Sequence, residues 1–65
     1  MKLTVNDSEI EVGEDTTVAA LLADLDFPVK GIAVAVNWAV LPRSQWDSVL
    51  PDGAHVEVVT AVQGG

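Results

Sequence analysis

The chain ends in two glycines, Gly64 and Gly65, and this terminus carries the clearest chemical signal in the 65 residues. Two successive glycines form a thin arm without side chains, which contributes nothing to a core and is poorly suited to a strand. The segment from Val62 to Gly65 spans about 13 Å when extended, enough to thread a narrow channel in another protein. The carbonyl carbon of Gly65 has no Cβ beside it and is open to attack from either face. A frayed or trimmed terminus is the simpler alternative.

The rest of the sequence lacks the side chains that self-contained catalysis requires. It holds one histidine, His55, and no cysteine or tyrosine. Its three serines lie outside any Gly-x-Ser-x-Gly setting, and no glycine-rich loop precedes a helix in a form that would hold a phosphate. The acidic residues between Asp7 and Asp15 do not match a calcium-loop spacing. We therefore expect a protein that is not an enzyme and that binds no metal or cofactor by itself.

The charge of the chain restricts its partners. Ten acidic residues against three basic ones give a formal net charge of −7, which repels phosphate backbones, so no nucleic-acid partner is expected. The absence of cysteine excludes disulfides and thiolate metal clusters. An acidic turn follows Met1–Val5 where a signal peptide would be apolar, and the apolar stretch 31–42 is too short to cross a bilayer. We expect a soluble cytoplasmic protein without a membrane partner.

Two alternating segments at the amino terminus predict a β-hairpin. Residues 2–5 and 9–12 alternate between polar and apolar side chains on either side of the turn formers Asn6-Asp7-Ser8. The period then changes from two residues to 3.6, which predicts an amphipathic helix. Thr16 or Thr17 can cap this helix, and Pro28 stops it. Its apolar stripe consists of Val18, Leu21, Leu22 and Leu25.

The second half of the chain predicts further strands. The apolar run Ile32–Val36 and the pair Val40-Leu41 are strand candidates, and Pro42–Trp46 is typical of a single helical turn beginning with its proline. The turn Pro51-Asp52-Gly53 leads into a last strand over 54–62. This order predicts an α+β fold, a mixed sheet of four to five strands with one helix packed across it. We expect a single domain over 1–65 with a flexible tail at 63–65.

The last strand has two faces of different character. Its core-facing side chains are Val56, Val58, Thr60 and Val62, and the opposite face holds His55, Glu57, Val59 and Ala61. The opposite face turns apolar toward the terminus, which indicates a docking surface at Val59 and Ala61. The alternative is that Val59 packs beneath Trp38 or Trp46.

Single side chains outside that surface have simpler interpretations. His55 is interpreted as a solvent-facing residue without a function. Trp46 is expected in the core and Trp38 half-exposed. Arg43 is expected to cap or pair locally, for instance with Asp47 or Asp52.

Several segments together resemble the ThiS sulfur carriers of thiamine biosynthesis, which are relatives of ubiquitin with a β-grasp fold. The resemblance covers nearly the whole chain. Its most specific part is the segment 40–46, Val-Leu-Pro-Arg-Ser-Gln-Trp, with Val-Asn at 36–37 before it. The terminal Gly64-Gly65 pair is less specific, because MoaD-type carriers of molybdopterin synthesis and ubiquitin-like modifiers share it. The other matching segments are 17–22, 34–35 and 52–53.

The resemblance implies a covalent carrier that other enzymes charge and discharge. A free carboxylate is ionised at neutral pH and is a poor electrophile, so a ThiF-type adenylyltransferase uses ATP and Mg²⁺ to form an acyl-adenylate on the terminal glycine. Sulfur from a cysteine desulfurase relay then replaces the adenylate, and a ThiG-type thiazole synthase accepts it.

The resemblance also implies roles for particular residues. Gly65 would carry the thiocarboxylate, Gly64 would keep the tail thin and flexible, and Val59, Ala61 and Val62 would dock the partner enzymes. Two alternatives remain open at this level. One is a MoaD-like carrier for molybdopterin or another sulfur-containing metabolite, and the other is a ubiquitin-like protein modifier.

Overall fold

The fold is a five-stranded mixed sheet with one α-helix across it, and it is taken from a computed structural model that describes residues 1–28 and 30–60. This arrangement confirms the predicted α+β class. The described elements are β1 (Lys2–Val5), β2 (Ser8–Glu11), α1 (Val18–Asp24), β3 (Ile32–Val36), β4 (Ala39–Val40), a 3-10 turn (Arg43–Gln45) and β5 (His55–Thr60). The described helix is not long and apolar enough to cross a membrane.

The last strand, β5, lies in the middle of the sheet, in the order β2-β1-β5-β3-β4. It runs parallel to β1, with Thr4 opposite His55, and antiparallel to β3, with Val34 opposite Val58. The outer strands β2 and β4 each pair with their neighbour through a hairpin. Parallel pairing needs a crossover connection, and here α1 lies on the chain between β1 and β5.

Both hairpins turn through two residues in the left-handed region. The first turn is Asn6 (φ 48°) and Asp7 (φ 71°), and the second is Asn37 (φ 50°) and Trp38 (φ 68°). Such turns match the twist of the strands they join, and Asn and Asp tolerate them. Trp38 does not belong to this tolerant set, since a left-handed backbone costs a side chain with a Cβ about 1–2 kcal/mol.

The helix begins as predicted and ends earlier than its apolar stripe suggests. Thr17 is the N-cap, and its hydroxyl oxygen accepts the Ala20 N–H at 3.1 Å. At the other end Asp26 takes φ 60°, its N–H donates to the Ala23 carbonyl, and the Phe27 N–H donates to the Leu22 carbonyl. This Schellman motif ends α1 at Asp24, before Pro28 is reached. The predicted fourth stripe residue, Leu25, therefore lies past the helix and is exposed.

The core lies between α1 and one face of the sheet. Val18, Leu21 and Leu22 are the buried residues of the helix. Val56 and Val58 of β5 are buried as predicted, whereas Thr60 at its end is exposed. Among residues 1–28 and 30–60, the buried apolar side chains are Leu3, Val5, Val18, Leu21, Leu22, Val34, Leu50, Ala54, Val56 and Val58.

Candidate functional site

The carboxyl-terminal segment of the chain follows β5, the central strand, which pairs with β1 on one edge and with β3 on the other. The predicted carrier residue Gly65 lies outside the described residues. So do the predicted tail at 63–65, which includes Gly64, and the predicted docking residues Ala61 and Val62. The structure describes the strand that leads to them, up to Thr60. Because β5 is hydrogen-bonded on both edges, the sheet itself sets the position from which the terminal segment starts.

Asn6 holds β5 from the β1 side, a role that the sequence did not indicate. Its Oδ1 accepts the Val58 N–H at 2.8 Å, and its Nδ2 donates to the Val58 carbonyl at 3.1 Å. The Asn6 backbone N–H donates to the Val56 carbonyl at 3.0 Å, and beyond this bond the Asn6 carboxamide supplies the next pair of hydrogen bonds in place of a backbone. The asparagine therefore extends the parallel pairing of β5 by one step toward the terminus.

Asn37 holds the beginning of β5 from the other side. Its Oδ1 accepts the His55 N–H at 2.9 Å, and its backbone N–H donates to the His55 carbonyl at 2.7 Å. Asn6 was one of the turn formers that predicted the first hairpin, whereas no hairpin was predicted at Asn37. A turn former indicates the turn and carries no information on the strand to which its side chain binds.

The sheet face opposite α1, called here the open face, contains an apolar strip beside charged residues. Register places Ala33 opposite Val59, and Ala35 lies between Val40 and Glu57. Val59 is 59% exposed and Val40 is 78% exposed. Val59 therefore does not pack beneath either tryptophan, and the exposed alternative is confirmed. An exposed apolar strip of this kind is suited to a partner surface.

His55 is not the isolated solvent-facing residue that the sequence suggested. The Trp38 ring stacks on the imidazole, with centroids 4.8 Å apart and an angle of 18° between planes. His55 Nε2 lies 3.2 Å from Glu57 Oε1. The imidazole is half-buried between these neighbours, whereas Trp38, predicted to be half-exposed, is 77% exposed. Only the pairing of β3 with β5 brings these side chains together.

The predicted ion pair of Arg43 with Asp47 or Asp52 is wrong. The guanidinium carbon lies 5.5 Å from the centroid of the Trp46 ring, a cation–π arrangement. In the described ranges 1–28 and 30–60, the carboxylate contacts of basic side chains are those of Lys2 with Glu9 and of the His55 ring with Glu57. Arg43 follows Pro42 at the start of the 3-10 turn, and this local geometry places its side chain over the ring instead of beside a carboxylate.

Trp46 is half-buried against the core, which agrees with its expected position. Its Nε1–H donates to the Leu41 carbonyl at 3.1 Å. The backbone carbonyl of the same residue accepts the Ala19 N–H at 3.0 Å. The tryptophan thus ties the segment after β4 to the first turn of α1.

Comparison with known proteins places this fold and its terminus in one family. The model of the ThiS family matches residues 1–65. The chain belongs to the ThiS family. Among curated relatives, the sulfur carrier protein ThiS of Escherichia coli is 32% identical over 66 aligned residues that cover both chains completely. The crystal structure of a thiamine biosynthesis protein, ThiS of Geobacter metallireducens, is 33% identical, covers both chains completely and superposes with a TM-score of 0.86. The ubiquitin-like β-grasp expected from the resemblance is thereby confirmed.

A second curated relative is much longer than this ThiS-family chain. A thiazole synthase of Paramagnetospirillum magneticum is 35% identical over 66 aligned residues, which cover all of this chain and 20% of the synthase. In that protein a ThiS-like segment is therefore part of the same polypeptide as a thiazole synthase.

Proposed function

We propose that this chain, a sulfur carrier of thiamine biosynthesis, carries its sulfur as a thiocarboxylate on the carbonyl carbon of Gly65. The observation that supports the proposal is the ThiS match over the whole chain, 1–65, which includes the terminal glycines. The chain acts as a covalent co-substrate, and other enzymes perform the chemistry. Consumption of ATP by the activating enzyme supports a cytoplasmic location.

The chemistry begins with a carboxylate that is ionised and unreactive at neutral pH. A ThiF-type adenylyltransferase joins this carboxylate to the α-phosphorus of ATP with the help of Mg²⁺, and pyrophosphate leaves. The terminal sulfur of a persulfide, supplied by a cysteine desulfurase relay, then displaces AMP at the same carbon. A thiol cleaves the resulting acyl disulfide, which releases the thiocarboxylate and leaves the thiol and the persulfide's inner sulfur joined as a disulfide. Because Gly65 and Gly64 lack side chains, neither hinders attack on this carbon or entry into a narrow active site.

A ThiG-type thiazole synthase is the proposed acceptor of the sulfur. The ThiS-like segment within the synthase of Paramagnetospirillum magneticum supports this pairing, since placing two interacting units on one chain raises their effective concentration. On this chain the proposed docking residues are Val59, on the open face, together with Ala61 and Val62. The apolar strip that surrounds Val59 supplies the contact area.

Intact-mass measurement tests the proposed function. The chain is incubated with ATP, Mg²⁺, a ThiF-type enzyme, a cysteine desulfurase and cysteine from the same organism. We expect replacement of one oxygen by one sulfur in the terminal residue. Attachment of Gly65 to a lysine of another protein would identify a modifier instead, and sulfur uptake only with the activating enzyme of molybdopterin synthesis would identify a MoaD-like carrier.

Replacing Val59 with aspartate tests the docking surface. We expect Val59→Asp to raise the Kd for the thiazole synthase at least tenfold, because a charge is then buried against an apolar partner. Thermal unfolding should change little, since the side chain is exposed in the free protein. The matched control is Val49→Asp, which adds the same charge at a valine of similar exposure that is bridged to Thr17 at the start of α1. A collapse of thermal stability in Val59→Asp would show that this residue serves the fold.

A further inference from the structure

The turn between β3 and β4 holds a tryptophan where the backbone favours glycine. Trp38 is the second residue of the turn at φ 68°, and Asn-Gly is the pair that such turns prefer. The corresponding residue of the first hairpin, Asp7 at φ 71°, is of a type that tolerates this region. Glycine at position 38 would relieve the turn, so formation of the hairpin does not explain the indole.

The indole stacks on another ring of the protein although most of its surface faces solvent. Its inner face lies on the His55 ring, whose Nε2 is in hydrogen-bonding contact with Glu57 Oε1. The two hydrogen bonds between Asn37 and His55 fix the turn beneath the stack. A rigid exposed aromatic ring loses little conformational entropy when a partner covers it, which is the property of a binding anchor.

Charge around the stack favours a cation as its ligand. The face of an indole attracts cations, and the Glu57 carboxylate lies directly against the imidazole below it. Across the sheet, Thr4 of β1 lies opposite His55, and Glu9 of β2 lies opposite Thr4, so a second carboxylate belongs to the same cross-strand row as His55. Lys2 lies 3.9 Å from Glu9 in an exposed pair, and the whole chain carries −7.

We propose that Trp38, supported by His55 and Glu57, is the binding platform for an arginine side chain of the thiazole synthase; this inference rests on the proposed function. A planar guanidinium stacks flat on an indole face, and the negative charge of Glu57 beneath the stack favours its approach. The platform is at the start of β5, about 16 Å from Thr60 at the other end of the strand. An arginine bound there orients the carrier at a distance from its terminal segment.

Replacing Trp38 with glycine tests this platform without straining the turn. Binding to the ThiG-type synthase is measured by calorimetry for the parent chain and for Trp38→Gly, both without sulfur on the terminal residue. Folding is followed by thermal unfolding. We expect the Kd to rise at least tenfold while the midpoint of unfolding is unchanged or higher. An unchanged Kd overturns the proposal, and so does a large fall in the midpoint, since the ring would then serve the fold.

A second variant separates cation binding from simple apolar contact. Trp38→Leu keeps an apolar side chain and removes the aromatic face, and we expect it to weaken binding nearly as much as glycine does. Binding equal to that of the parent chain would overturn the arginine platform. Val49→Ala, at an exposed valine bridged to the N-cap Thr17 of α1, is the control and should leave the Kd unchanged.

The result of the Trp38 binding test does not depend on whether Gly65 takes up sulfur. Binding is measured on chains that carry no sulfur. Sulfur uptake at Gly65 is followed separately by intact mass with saturating activating enzyme. We expect Trp38→Gly to reach the same final extent of sulfur uptake as the parent chain. Failure of the parent chain to take up sulfur would reject the proposed function, whereas failure of Trp38→Gly to weaken synthase binding would reject the platform alone.

Discussion

Deletion of Gly65 is expected to abolish sulfur uptake and to leave folding unchanged. The shortened chain still ends in a glycine carboxylate, but its reactive carbon is withdrawn by about 3.5 Å, the length of one extended residue. An adenylating site needs the attacking oxygen within close range of phosphorus, and a displacement of 1 Å can already cost a hundredfold in rate. The measurement is intact mass after incubation with ATP, Mg²⁺, the ThiF-type enzyme and the desulfurase.

The matched control for this deletion is Gly65→Ala. It retains the length of the tail and adds a Cβ beside the reactive carbon, so we expect slower charging with a detectable product. The midpoint of thermal unfolding should be the same in the parent chain, the deletion and Gly65→Ala. Full sulfur delivery by the deleted chain would contradict the assignment of Gly65 as the carrier residue.

Asn6→Ala is expected to destabilise the fold strongly for a substitution at an exposed polar residue. The change removes both hydrogen bonds to Val58 and leaves a partly buried N–H and carbonyl of β5 without those partners. It also places alanine at φ 48°. Together these terms amount to about 2–4 kcal/mol, a large share of the roughly 3–10 kcal/mol that a domain of this size has. Urea unfolding measures the loss.

Asn6→Gly separates the two contributions to this loss. Glycine accepts the left-handed backbone and lacks the carboxamide, so it reports mainly on the hydrogen bonds to Val58. We expect Asn6→Gly to be destabilised by a smaller amount than Asn6→Ala. If both variants unfold at the urea concentration of the parent chain, the carboxamide does not hold β5 in place.

The contacts of Asn6 with Val58 were not predicted from the sequence. Asn6 and Val58 are 52 positions apart, and they meet only because β1 and β5 pair in parallel. The sequence predicted the first hairpin turn and the alternation of β5, each of which depends on residues close together along the chain. It did not show that the turn side chains would extend the ladder of the central strand.

Local patterns alone determined most of the elements of this protein. The alternation of β1 and β2, the helical stripe that begins at Val18 and the cap at Thr17 depend on neighbours within a few residues, where backbone preference and hydrophobic periodicity act directly. The segment 40–46 and the terminal Gly64-Gly65 pair likewise led to the ThiS resemblance, which the family match confirms.

Tertiary structure decided which side chains meet, and it corrected several expectations. Leu25 became exposed because Asp26 turned the chain out of the helix, and Arg43 stacked on Trp46 instead of pairing with a carboxylate. The contact of Trp38 with His55 arose from the pairing of β3 with β5. The exposure of Leu25 depends on a single backbone angle, and the stacking of Arg43 depends on the local geometry of the 3-10 turn. The contact of Trp38 with His55 depends on the pairing of segments that are distant in sequence. Hydrophobic periodicity encodes none of these three causes.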